Sequence, residues 1–112
     1  MSKVEIPEEY VHRTFQLWNY DVSHGHLLIR SPKRNDDAVN VDVVVFGVQF
    51  VSLPRFLRGL RIQKLEEVPS AYQEYASNEA DKAFRLESRN DNFLIIACSL
   101  EIQINEDDIF TA

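Results

Sequence analysis

Two of the three histidines, His24 and His26, stand two residues apart and could bind one metal ion together. In an extended strand, side chains at positions i and i+2 lie on the same face, so both imidazoles could reach a single ion. A third ligand is needed, and His12 or Asp21 could supply it. The ligand types alone do not identify the metal. The alternative is that both histidines are ordinary solvated turn residues, and no other part of the sequence predicts a cofactor.

Nucleophilic catalysis is the second chemistry that the sequence raises. Ser23 precedes His24, but neighbouring residues of a strand point in opposite directions, so we expect that these side chains rarely meet. The only cysteine, Cys98, lies on the apolar parity of a long strand, and we predict that it is a buried and therefore unreactive core residue. No G-x-S-x-G motif, phosphate-binding loop or zinc-finger spacing is present. Carboxylate pairs such as Glu66–Glu67 fall in polar segments and are interpreted as surface charge.

A basic segment, residues 54–64, carries Arg55, Arg58, Arg61 and Lys64 and no acidic residue. It contributes +4 to a chain whose net charge is −6, so the remainder carries −10. Cations spaced three apart among apolar residues could bind a phosphate, a nucleic-acid backbone or an acidic protein surface. The alternative is that they form ion pairs with the abundant acids, for example Glu101 or Glu106.

Aromatic residues could line a binding surface, because aromatic side chains and arginine are enriched at interfaces. Trp18 and Tyr20 are the candidates in the first apolar segment, with Tyr10, Tyr72 and Tyr75 elsewhere. Aromatic residues are also common in the cores of small β domains. The sequence leaves both interpretations open.

The elements that would position these residues are mainly strands. Residues 14–22 and 26–31 surround Gly25, which predicts a β-hairpin with a positive φ angle at the glycine. Residues 41–53 give the strongest strand signal, interrupted by a bulge or bend at Gly47. Further strands are predicted over 60–65, 83–88 and 93–105. The last is predicted to have one dry face, formed by the even-numbered residues from Leu94 to Ile104.

Helical signals are short. Residues 7–11 could form one turn, and a small helix could begin near Ser70, after Pro69. The predicted fold is therefore mainly β, with about six antiparallel strands in a sandwich or half-open barrel and at most one or two short helices. The alternative is an α+β roll, if the helix near Ser70 packs on the sheet. The acidic tail, residues 106–112, is predicted to be frayed.

Length and composition favour one domain covering residues 1–112, because a chain of this size can bury one core but not two. The apolar fraction of 45% argues against wholesale disorder. The negative net charge argues against binding to long double-stranded DNA. The absence of a signal-like or membrane-length apolar stretch, together with a single cysteine, predicts a cytoplasmic protein without a membrane partner.

The favoured function is a non-catalytic binding module whose partner is another protein. One version is a small acidic protein that neutralises a basic partner such as a toxin or nuclease, since acidic faces associate quickly with basic clefts. The alternatives are a small metal-binding protein or enzyme that uses His24 and His26, and a nucleic-acid or phosphate binder that uses Arg55, Arg58 and Arg61. A homodimer is compatible with each, because the long apolar strand at 93–105 must be covered and exposed strand edges invite pairing.

Overall fold

The computed structural model describes residues 4–107, and the strands within this range all belong to one antiparallel sheet. The predicted acidic tail lies outside the described residues from position 108 onward. Within residues 4–107 there are seven strands, in the sheet order β4-β1-β2-β3-β7-β6-β5. Their bounds are β1 Thr14–Asp21, β2 His26–Ser31, β3 Asn40–Ser52, β4 Phe56–Arg58, β5 Arg61–Lys64, β6 Lys82–Ser88 and β7 Asp91–Asn105.

The prediction of a mainly β fold with about six antiparallel strands is confirmed, and of the two predicted forms, sandwich and half-open barrel, the sheet adopts the second. The seventh strand is the short β4. Two 3₁₀ segments, Glu8–Tyr10 and Ser70–Tyr75, lie where the sequence predicted short helical turns, within residues 7–11 and directly after Pro69. The α+β roll is wrong because Ser70–Tyr75 has six residues and none of them is buried, so no helix packs on the sheet there. No helix among the described residues is long and apolar enough to cross a membrane.

The two outermost strands of the sheet, β4 and β5, are consecutive in the chain and are separated only by Gly59 and Leu60. So short a link keeps the Cα atoms of Arg58 and Arg61 within about 11 Å of each other. The sheet therefore curls until its edges lie side by side. Gly59 has a φ angle of +80°, and its N–H donates to the carbonyl of Arg13. We call the place where the two edges meet the seam. The basic segment forms it.

The core lies on the concave side of the curled sheet. Its fully buried side chains come from most of the strands and include Phe15, Ile29, Val43, Leu86 and Ile95. Burial of one such side chain stabilises the fold by about 1.5–3 kcal/mol. Alternation along β2 and the first half of β3 places these residues on one face, and Phe15 of β1 joins them in a single core cluster.

Strand β7 departs from the predicted alternation. Leu100 is buried in the core, as expected, but so are Ile95 and Ala97, which have the opposite parity. Cys98 and Ser99 are both exposed, so the predicted burial of Cys98 is wrong. The change occurs opposite Gly47, whose φ angle is +67°, and beside a register shift between Val48 and Phe50. The bend predicted at Gly47 is therefore present, and it changes which residues of the paired strand face the core.

Candidate functional site

The first candidate site is the tight turn between β1 and β2, where Gly25 has the predicted positive φ angle of +65°. The carboxylate of Asp21 forms hydrogen bonds with two other polar side chains of this turn. Its Oδ2 atom lies 2.7 Å from His24 Nδ1, and the hydroxyl of Ser23 donates to its Oδ1 at 2.8 Å. Because an ionised carboxylate only accepts hydrogen bonds, His24 donates through a protonated Nδ1.

Ser23 and His24 meet after all, because both lie in a turn and not in a strand. Ser23 Oγ is 3.3 Å from His24 Nδ1, the same nitrogen that contacts Asp21. In a catalytic triad the serine and the carboxylate contact opposite ring nitrogens, so that one nitrogen can accept the serine proton while the carboxylate orients the ring and stabilises its positive charge. The expectation that these side chains do not meet was wrong, but their geometry does not activate the serine.

The histidine pair has the proximity that a shared metal needs but lacks a third ligand. The ring centroids of His24 and His26 are 5.8 Å apart, and His26 packs edge-on against Phe46. Asp21, one of the two proposed third ligands, already contacts His24. Within residues 4–107, no set of three or more His, Cys, Asp and Glu side chains surrounds a common point.

The pKa of Asp21 lies below its ordinary value. The hydrogen bond from His24 is the largest cause of the lowered pKa of Asp21, followed by the hydrogen bond from Ser23. A lowered pKa favours the folded state above the ordinary pKa of the group, and this contribution disappears as the pH falls through the lowered value.

We expect His24→Ala to raise the Asp21 pKa toward its ordinary value, measured by carboxyl-carbon NMR titration. His12→Ala is the control, and an unchanged Asp21 pKa in His24→Ala would contradict the assignment.

The predicted basic residues occupy the seam between the sheet edges. Arg61 forms a bidentate ion pair with Glu8, with N–O distances of 2.6 and 2.9 Å. The hydrogen bond from Arg61 lowers the pKa of Glu8. Arg55 extends over the ring of Phe56 at 5.1 Å, and Arg58 is exposed on β4. Lys64 lies with Arg61 in a groove of about 530 Å³ that also contains Glu5, Glu8 and Glu87.

The acid that pairs with this segment is thus Glu8, and not Glu101 or Glu106, which the sequence offered as examples. An exposed pair of this kind contributes about 0–1 kcal/mol. The groove beside Arg61 mixes cations with carboxylates, so its charge is close to balanced. Of the four predicted basic residues, Arg55 and Arg58 are the two that lie on the β4 side of the seam.

Trp18 and Tyr20 lie on β1 but have different surroundings. The Trp18 ring lies 5.3 Å from the guanidinium of Arg30, which forms a buried, two-bonded ion pair with Asp42 at 2.7 and 2.9 Å. Tyr20 is exposed beside a mainly apolar groove of about 250 Å³, to which Trp18 also contributes. His26 lines a different groove, together with Arg30 and Asp42. The histidine and the two aromatic residues therefore do not converge on one cavity.

A surface that the sequence analysis missed lies between β5 and β6. Residues 65–81, named here the acidic segment, contain five carboxylates and neither lysine nor arginine. Glu66, Glu67, Glu74 and Glu79 are exposed, whereas Asp81 is buried and accepts the N–H groups of Ser77 and Asn78. The signal was available in the sequence as a cation-free interval between Lys64 and Lys82.

Two tyrosines stand among these carboxylates. Tyr72 and Tyr75 are 36% and 41% exposed and belong to the 3₁₀ segment Ser70–Tyr75. Both rings pack on Phe50 of β3, with centroid distances of 5.4 and 4.6 Å. Phe50 pairs with Ile96, which is buried yet lies outside the main core cluster. The tyrosines therefore cover a small second apolar cluster on the outer face of the sheet and remain accessible themselves.

Three of the exposed glutamates, Glu66, Glu67 and Glu79, line one open groove of about 970 Å³. Lys64 and Lys82 line the same groove. The acidic segment thus combines a concave carboxylate surface with two supported aromatic rings. No family model, curated protein or solved structure matches this chain.

Proposed function

We propose that this protein is a non-catalytic interaction module that binds a basic protein through the acidic segment. The observation that supports the proposal is the combination of four exposed glutamates with Tyr72 and Tyr75 in a segment that has no cation. A basic partner such as a nuclease or toxin, with a cleft rich in lysine and arginine, has the complementary chemistry.

Electrostatic complementarity would act first, during the encounter. Carboxylates that lie together on one surface attract a cationic partner and raise the association rate, and salt weakens this attraction. The glutamates of the acidic segment have no lysine or arginine within the segment to neutralise them. Because these glutamates are exposed, their charge is presented to solvent, and Lys64 and Lys82, which line the same groove, offset only part of it.

The tyrosines would supply short-range affinity. A tyrosine ring buries a large apolar area, and its hydroxyl can form a hydrogen bond at the same interface. Because Tyr72 and Tyr75 already pack on Phe50, binding would cost them little additional side-chain entropy. Interface energy commonly concentrates in a few such residues, with tyrosine and arginine prominent among them. An arginine-rich partner could also place its guanidinium groups over the two rings.

The test is affinity capture from a lysate of the protein's own organism, at low and high salt, followed by reconstitution with the purified captured protein. We expect the full chain to capture a basic protein at low salt and to lose it at high salt. In the reconstituted pair, Tyr72→Ala/Tyr75→Ala and Glu66→Gln/Glu67→Gln should each weaken binding at least tenfold, about 1.4 kcal/mol. Asp36→Asn, which removes an exposed charge from the loop before β3, is the matched control and should change binding little.

Three outcomes would contradict the proposal. One is the failure to capture any basic protein at low salt. Another is capture that survives both the tyrosine and the glutamate substitutions. The third is capture of a nucleic acid that Arg58→Gln abolishes, because this would assign the function to the basic segment. Circular dichroism of each variant confirms that a loss of binding does not come from a loss of fold.

A further inference from the structure

The second half of β7 is an open strand edge. Strand β6 pairs with β7 only from Asp91 to Ala97, whereas β3 pairs with β7 as far as Asn105. On the side away from β3, residues 98–105 form no backbone hydrogen bond with another described part of the chain. Unpaired N–H and C=O groups along a strand are a template for pairing with another strand.

This edge lacks the features that normally protect an edge strand. Its register with β3 is continuous from Asn40–Asn105 to Phe46–Ser99, without a bulge. Residues 98–105 contain no proline, glycine, lysine or arginine, and Glu101 is their only charged residue. Ile104 remains 44% exposed. By contrast, the partly open edge of β1 carries a register shift between Leu17 and Asn19, and β3 bends at Gly47.

We propose that residues 98–105 pair antiparallel with the same residues of a second copy, which joins the two sheets into one across a two-fold axis near Ile102. In this register, Ile102 faces Ile102 of the second copy, and Leu100 faces Ile104. Glu101 faces Gln103, so no like charges lie directly opposite each other. An antiparallel edge is self-complementary because the same patch serves both copies.

Charge complementarity at the two ends of the edge favours a second copy over an unrelated strand. Lys82, the first residue of β6, pairs with Ala97 and marks the point where the open edge begins. Glu106 follows directly after the end of β7. Antiparallel pairing about Ile102 places Glu106 of each copy opposite Cys98 and hence beside Lys82 of the other. The dimer gains this contact twice.

The test uses charge reversal and mixing, with the molar mass measured by light scattering over a range of concentrations. We expect the wild type to dimerise, and Lys82→Glu and Glu106→Lys each to raise the dimer dissociation constant at least tenfold. Mixing the two variants should restore association, because the Lys82→Glu copy then meets lysine at both contacts and the Glu106→Lys copy meets glutamate. Lys64→Glu, on β5, is the matched control and should dimerise like the wild type.

Restoration upon mixing cannot come from variants that have failed to fold. A wild type that is monomeric at every concentration overturns the proposal, as does a dimer that neither reversal weakens. Variants that fail to associate when they are mixed overturn it as well.

Amide hydrogen exchange locates the interface independently. If the wild type dimerises through β7, exchange should slow as the protein concentration rises at those amides of residues 98–105 that point away from β3, while exchange at residues 18–21 of β1 should not change. A concentration dependence confined to β1, or to the acidic segment, would place the interface elsewhere and overturn the proposed register.

Discussion

Asp42→Ala should lower the free energy of unfolding by about 3–5 kcal/mol, measured by urea denaturation. The substitution leaves the guanidinium of Arg30 buried without its counter-ion. The side chains of Arg30 and Asp42 are only 6% and 4% exposed, so hydration compensates little for the loss of the carboxylate. The hydrogen bond from Arg30 to Asp42 is also the largest cause of the raised pKa of Arg30. Loss of the carboxylate therefore removes what stabilises that buried charge.

The control is the double substitution Arg30→Met/Asp42→Leu. Because it removes both charges and fills their space with apolar side chains, it should recover the part of the loss that comes from the unpaired guanidinium. Asn105 Nδ2, which also donates to Asp42, still lacks its acceptor in this variant. Trp18, which covers the guanidinium in the wild type, can pack against the methionine. A loss below about 1 kcal/mol for Asp42→Ala would show that the pair is hydrated in solution, contrary to its burial here.

Gly47→Ala should destabilise the fold by about 2–5 kcal/mol, again measured by urea denaturation. A left-handed φ angle costs a non-glycine residue about 1–2 kcal/mol, and the φ angle at this position is +67°. A Cβ atom at position 47 would also lie 2.8 Å from the Cβ of Cys98, which is closer than packed carbon atoms approach. Relief of such crowding typically costs a further 1–3 kcal/mol or so in displaced structure.

A double-mutant cycle separates the two contributions. Cys98→Gly removes the opposing Cβ atom, so Gly47→Ala should cost less in that background, where only the φ penalty remains. Cys98→Ser keeps the Cβ atom and is the matched control, in which the full cost should persist. Equal costs of Gly47→Ala in all three backgrounds would contradict the proposed crowding.

The parts of the fold that were predicted correctly are those whose conformation is determined by nearby residues. The turn glycine Gly25 defined the hairpin, and the bounds of β2, His26–Ser31, are those predicted. Pro69 correctly indicated where the Ser70–Tyr75 segment begins. In each case the conformation is fixed within a few residues, by a positive φ angle or by a residue that lacks an N–H group, so neighbouring sequence is sufficient.

The failures arose where the outcome depends on a distant segment. Cys98 has the parity of a core residue, but a bend in the paired strand exposes it. Arg30 and Asp42 form a buried pair only because β2 and β3 align in one particular register, which a single sequence does not show. Strand β4, with three residues, forms because β1 lies alongside it, since its own sequence is too short to indicate a strand.

The candidate site was less predictable than the fold for a related reason. The sequence directed attention to residue types with strong chemistry, such as the histidines and the arginine series. The acidic segment contains common residues, and its character comes from the missing cations and from the support that Phe50 gives the tyrosines. The first could have been counted from the sequence, but the second required the structure, because Phe50 lies more than twenty positions away in the chain.

The seam at Gly59 and Leu60 has a consequence for the order of folding. Strands β1 and β2 are neighbours in the chain, as are β6 and β7, so each hairpin can form early from local contacts. Strand β4 must instead reach back to β1, while β5 reaches forward to β6. Only two residues join β4 to β5. Neither strand can therefore pair fully until the β1–β2 and β6–β7 hairpins lie close to their native positions. We therefore expect the seam to form last, after β3 and β7 have paired and joined the two hairpins into one sheet.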